Sequence, residues 1–178
     1  TQGVEGDFRV LVTEDLEVYG SFAYLDFEFD SFELAGCAFG VTPTNPATGT
    51  CSLTGQTTSL APEWSANLGL NYSREINSAL NIDANLHLDY MDDYFLSYDL
   101  DKNRVQESYV MVSAVIGIGS TSGNWRVSLI GDNLTDKRVS YRSDGLPLAG
   151  ALTQGTGNAY SGFYARPRNY TLKFEYRL

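Results

Sequence analysis

Apolar and polar residues change places at every step through long stretches of this sequence. In the closing segment "PRNYTLKFEYRL", Tyr170, Leu172, Phe174, Tyr176 and Leu178 are separated by Thr171, Lys173, Glu175 and Arg177. A period of two belongs to an extended strand with one apolar and one polar face, and a helix cannot sustain it. Six further runs show the same pattern, over 4–12, 16–29, 63–73, 79–91, 107–119 and 124–133. In the second run the facing turns ambiguous from Leu25, because Leu25, Phe27 and Phe29 fall on the opposite set. No 3.6-residue stripe of comparable length competes, so an all-β, antiparallel fold without helix is expected.

The connections divide into two classes. "TED", "REINS" and "STSG" are tight turns, whereas 31–61, 93–106 and 136–167 are long, and the two kinds alternate strictly. Loops of that length count against a compact soluble domain. They are regular in an outer-membrane barrel, which has short periplasmic turns and long external loops. If the last strand ends in the periplasm, all three short turns fall on that side.

The chain has 178 residues, 13% of them aromatic with 12 Tyr, and 17 Gly, a balance that favours strands and turns. Its formal charge of −10 argues against a nucleic-acid partner, which would need a basic patch. No run approaches the length of a membrane helix. Residues 1–13 show neither a charged nor an apolar leader, so a processed chain or a piece of a longer one is expected.

In the last five runs the apolar set carries no charge, as a lipid face requires, since Lys or Arg there costs about 2–4 kcal/mol, but a sandwich core would exclude charge as well. Three further features together choose hydrocarbon as the medium of the apolar face. Trp64, Tyr72, Tyr90, Tyr94, Trp125, Tyr170 and Tyr176 stand near strand ends, where interfacial girdles lie. The polar face of the third and fourth runs is Asn, Ser, Asp and Gly, small groups suited to a crowded aqueous lumen. Strands of about eleven residues at about 3.3 Å per residue, tilted near 45°, rise roughly 25 Å, the height of such a band.

Four segments carry a resemblance. "QGVEGDFRVLVTEDLEVYGSFAYLDFEFD", "LAPEWSANLGLNYS", "NWRVSLIGDNLTDKR" and "PRNYTLKFEYRL" stand in order as they do in the TonB-dependent outer-membrane receptors. The sequence resembles the C-terminal third or so of their transmembrane barrel, with Leu178 where the family usually ends in Phe. The resemblance implies that residues 1–178 are about seven strands of a larger barrel in the cell outer membrane. The plug domain and the TonB-engaging segment would lie outside them. It also implies TonB-coupled uptake of a scarce nutrient, either a metal chelate such as a siderophore or an oligosaccharide. Expected partners are outer-membrane lipid and lipopolysaccharide, TonB and the small ligand; no cofactor and no catalysis are implied.

Within that frame Cys37 and Cys51, both in the first long loop of an exported protein, suggest a disulfide, with two free thiols as the alternative. Asp89, Asp92, Asp93, Asp99 and Asp101 form an acidic rim; their spacing lacks the order of a calcium loop. Arginine interleaved with aromatics in the third loop could meet an anionic or sugar-like ligand, against lipopolysaccharide contact or simple solvation. The candidates for a ligand vestibule are Tyr94, Tyr98, Tyr141, Arg142, Tyr160 and Tyr164. His87, the one histidine, is expected on the lumen face as a hydrogen-bonded side chain. Rival readings are a passive porin without a plug, a barrel enzyme using a Ser with His87, and a soluble β-sandwich.

Overall fold

The alternation becomes an antiparallel sheet of long hairpins. The computed structural model describes residues 1–146, 148–152, 154 and 157–177; Leu178 lies outside the described residues. Strands β1 (Gln2–Leu11), β2 (Leu16–Asp26), β3 (Trp64–Glu75) and β4 (Leu80–Met91) come first. The short pair β5 (Tyr94–Phe95) and β6 (Val105–Gln106) leads to β7 (Tyr109–Ser120) and β8 (Trp125–Asp132). Then come β9 (Ser140–Gly145), one helical turn α1 (Ala149–Leu152), β10 (Tyr160–Tyr164) and β11 (Asn169–Tyr176). The main sheet has seven strands in the order β1-β2-β3-β4-β7-β8-β11, while β5-β6 and β9-β10 are separate two-stranded ribbons.

Register keeps the two faces apart across the whole sheet. One apolar row runs Leu16–Tyr72–Ala84–Ile116–Leu129–Leu172 and another Ile82–Ile118–Val127–Phe174, each step a direct cross-strand pair. A slip of one residue would send every one of these to the opposite face, so the pattern fixes the pairing. The other face is stitched by polar pairs. Asn67 donates to the Ser21 hydroxyl, Asn71 to Glu17 and Asn85 to Asn71, and Arg126 pairs with Asp83.

No second layer covers the apolar face. Among the described residues the buried apolar side chains are Ala35, Cys51, Leu53, Leu96 and Val139, all in the long connections. In contrast Phe8, Ile116, Leu129, Leu172 and Phe174 stand exposed, Leu172 at 74%. A sandwich would bury that face against a partner sheet; this sheet leaves it bare, as a barrel wall in lipid does. The aromatics collect at two levels. Tyr24 and Trp64 lie 4.8 Å apart near the loop end, and Trp125 faces Tyr176 near the turn end.

The three tight turns all fall at one end. Val12 N–H donates to Leu16 O at 2.8 Å, and Ile76 N–H to Leu80 O at 2.9 Å. The Asn77 side chain accepts from Ala79 and Leu80 N–H. At the third turn Gly123 takes φ +74°, a left-handed position that glycine occupies without steric cost.

Two expectations need correction. The second strand stops at Asp26 rather than near Phe29: Phe27, Phe29 and Phe32 leave the sheet and pack on one another, edge to face at 5.0 Å and tilted at 4.9 Å. That explains the break in alternation after Leu25. The long connections are also not bare loops. They hold two ribbons and the single turn of α1, where no helix was expected.

Candidate functional site

Each long connection is folded on its own account. In the first, Cys37 and Cys51 form a disulfide, and Ala35 and Cys51 exchange both backbone hydrogen bonds beside it. Phe29 and Phe32 close the base of this loop, held by Phe29 N–H to Gln56 O and Leu53 N–H to Phe32 O.

The second connection is the β5-β6 ribbon, whose tip carries Asp99, Asp101 and Arg104. Arg104 donates to both oxygens of Asp99 at 2.6 and 2.5 Å. Its guanidinium lies 3.5 Å from Asp101, which is 2% exposed. Asp101 accepts from the backbone and side-chain N–H of Asn103, both at 2.9 Å, and from the Tyr160 hydroxyl at 2.7 Å. Burial alone would raise this carboxyl; the three hydrogen bonds and the Arg104 charge together outweigh it and hold it below the ordinary 3.8. The same contact, with burial, raises the Tyr160 hydroxyl. Two members of the expected acidic rim are thus gathered around an arginine, Asp101 buried and Asp99 half-buried, instead of being solvated.

The third connection rises from a polar knot. Asn133, at φ +51° and 3% exposed, donates to Lys137 O and Arg166 O and accepts from Lys137 N–H. It ties the outgoing and returning arms of the loop together. Asp136 then meets Arg168 at 3.4 Å, joining the "NLTDK" run to the "PR" that opens β11.

The three connections interlock. Leu60 N–H donates to Phe95 O at 2.9 Å, Ser140 N–H to the Gln106 side chain at 2.7 Å, and Arg104 to Ser143 O at 3.2 Å. Between them lies a groove of about 570 Å³, walled by Phe29, Phe32, Tyr98 and Tyr141, with Leu96 and Ser97 among its lining. Its charged groups are Asp99, Arg104, Arg142 and Asp144. Arg142 and Asp144 pair at 2.8 Å.

Of the six candidates read from the sequence, Tyr98, Tyr141 and Arg142 come together on this groove. Tyr160 and Tyr164 line a neighbouring hollow of about 490 Å³, where Arg138 lies 4.2 Å over the Tyr164 ring. Tyr94 lines neither, and donates to Ser140 O at 3.4 Å. Sequence reasoning missed Arg104, Ser97, Phe29 and Phe32. A lone arginine inside an acidic segment was the one signal available for the first.

His87 sits on the polar face, 3.0 Å from Asp89 and stacked against Tyr19 at 6.4 Å. Register sets Ser113 opposite it. Among the described residues no group of three or more His, Cys, Asp or Glu is arranged to hold a metal.

The comparisons agree with the architecture. A sequence comparison with curated proteins finds no match. Among solved structures, the siderophore receptor PiuA from Acinetobacter baumannii superposes with TM-score 0.62 at 18% identity, over 96% of this chain and 20% of that one. The ferric yersiniabactin uptake receptor FyuA from Yersinia pestis does so with TM-score 0.68 at 16% identity, over 97% and 22%. At such identity the likeness is one of fold, and the chain spans about a fifth of either protein. The family described as "TonB dependent receptor-like, beta-barrel" matches residues 1–134. With the bare apolar face and the turns gathered at one end, that match makes this chain a member of the TonB-dependent receptor β-barrel family.

Proposed function

We propose that the chain is part of an outer-membrane receptor that captures a scarce nutrient, a metal chelate or an oligosaccharide, and takes it up by TonB-coupled active transport. The observation that carries this reading is the groove: three connections that could lie apart are sewn into one walled site. A passive pore has no need of such a site. The structural neighbours, one named a siderophore receptor and the other a ferric yersiniabactin uptake receptor, support the chelate arm of the proposal. In this reading the plug and the TonB-engaging segment belong to the remainder of a longer protein. The loop-side part of the apolar face would meet lipopolysaccharide. No chemistry on the ligand is involved, and the groove binds and orients.

The test is growth on limiting nutrient, or uptake of labelled chelate and oligosaccharide, in cells carrying the full-length receptor with and without functional TonB. Uptake that vanishes without TonB is expected. Uptake indifferent to TonB, with steady ion conductance in planar bilayers, would make the protein a passive porin.

A further inference from the structure

The groove has a charge balance that narrows its ligand. Two aspartates and two arginines line it, and each arginine has an aspartate within hydrogen-bond distance: Arg104 with Asp99, Arg142 with Asp144. Each guanidinium thus has its charge offset by an adjacent carboxylate, through both Asp99 oxygens at Arg104 and through Nε at Arg142, so the groove offers no net positive charge to draw in a polyanion. Ring faces supply the rest of the wall, with Tyr98 82% and Tyr141 57% exposed. Two buried side-chain atoms on the groove lining have no hydrogen-bond partner: Arg104 Nε, whose charge is met by Asp101 at 3.5 Å, and the hydroxyl of Ser97, 7% exposed, which faces no such group. Buried polar groups are almost always paired, so an orphan hydroxyl beside a groove points to a partner that arrives from outside.

We propose that this groove takes a net-neutral ligand bearing hydroxyl or carbonyl groups and stackable faces, and rejects polyanionic chelates. The proposal rests on the receptor reading above and chooses within it. Neutral oligosaccharides and neutral ferric trihydroxamates share this chemistry, because both can stack against Tyr98 and Tyr141 and both can meet Ser97. Ferric tris-catecholate, with its triple negative charge, does not.

Calorimetry on the full-length receptor in detergent tests it, with maltohexaose, a neutral ferric trihydroxamate and a trianionic ferric tris-catecholate as probes. At least one neutral probe should bind, with an affinity indifferent to salt, and the two neutral arms separate sugar from chelate. Tyr141→Ala should weaken that probe about tenfold. Asp144→Asn, which leaves Arg142 without its carboxylate, should raise affinity for the catecholate several-fold at low salt. Native-like electrophoretic mobility of each variant establishes that the barrel is intact. Catecholate binding to the unaltered receptor that Tyr141→Ala weakens would overturn the charge argument while leaving the receptor reading in place. If no probe binds more tightly than about 1 mM, the proposal falls. If the protein then also conducts as an open pore, the receptor reading falls with it.

Discussion

Asp101 shows how one side chain can hold two external ribbons together. It accepts hydrogen bonds from Asn103 on the β5-β6 tip and from Tyr160 on β10, and forms an ion pair with Arg104. Replacing it with Ala leaves donors on both ribbons, and the Arg104 charge, without their acceptor and should cost the local fold about 1–3 kcal/mol. Hydrogen exchange should then rise across 96–106 and 140–164 while the membrane strands stay protected; unchanged protection in the ribbons would remove the role. The pH dependence follows from the lowered carboxyl. A group whose folded value lies below its unfolded value stabilises above the unfolded one and loses that contribution as pH falls through the folded one. The latch should therefore hold at pH values above 3.8 and open only below it. None of this was legible beforehand: five aspartates near one another read as a solvated rim, and the partner that draws two of them in is Arg104, unremarkable in sequence. Cys37 and Cys51 were legible, because an exported loop with two thiols leaves few alternatives.

At the scale of the strand, pleat and register explain why so much could be anticipated. A face that meets one medium throughout imposes a strict period of two, and the seven long strands follow it to within a few residues at their ends. The ribbons were missed because β5 and β6 have two residues each and β9 and β10 only six and five, too few to display a period. Gly69 tests the packing of the polar face. A Cβ there would lie 2.1 Å from the Tyr19 ring, which crosses the strand at that point beneath Arg9. Gly69→Ala should lower stability by about 1–3 kcal/mol, and truncating Tyr19 to Ala in the same chain should recover part of the loss. Urea unfolding of the reconstituted receptor would read both. Two neighbours on β11 test the other face. Leu172→Arg should cost about 2–4 kcal/mol in a bilayer, whereas Thr171→Arg, one residue away on the polar face, should cost less than about 0.5 kcal/mol. Equal effects would mean that the two faces do not meet different media.

Considered whole, the molecule inverts the usual arrangement of a small domain. Among the described residues its buried apolar side chains sit in the long connections, and the apolar face of the sheet stands exposed. The overall architecture could be read from sequence because membrane thickness, strand length and the alternation of short and long connections constrain one another. The groove could not, since its walls come from segments separated by dozens of residues and meet only after Asn133, the disulfide and the Asp101 contacts have set each arm in place. Local alternation carries no information about which loop tips will touch.

The sheet begins at β1 and ends at β11 with no bond between those two strands. Each rim therefore offers a free row of amide donors and acceptors, the feature by which strands recruit other strands. Prepared by itself, the polypeptide should associate rim to rim into fibrous or insoluble material.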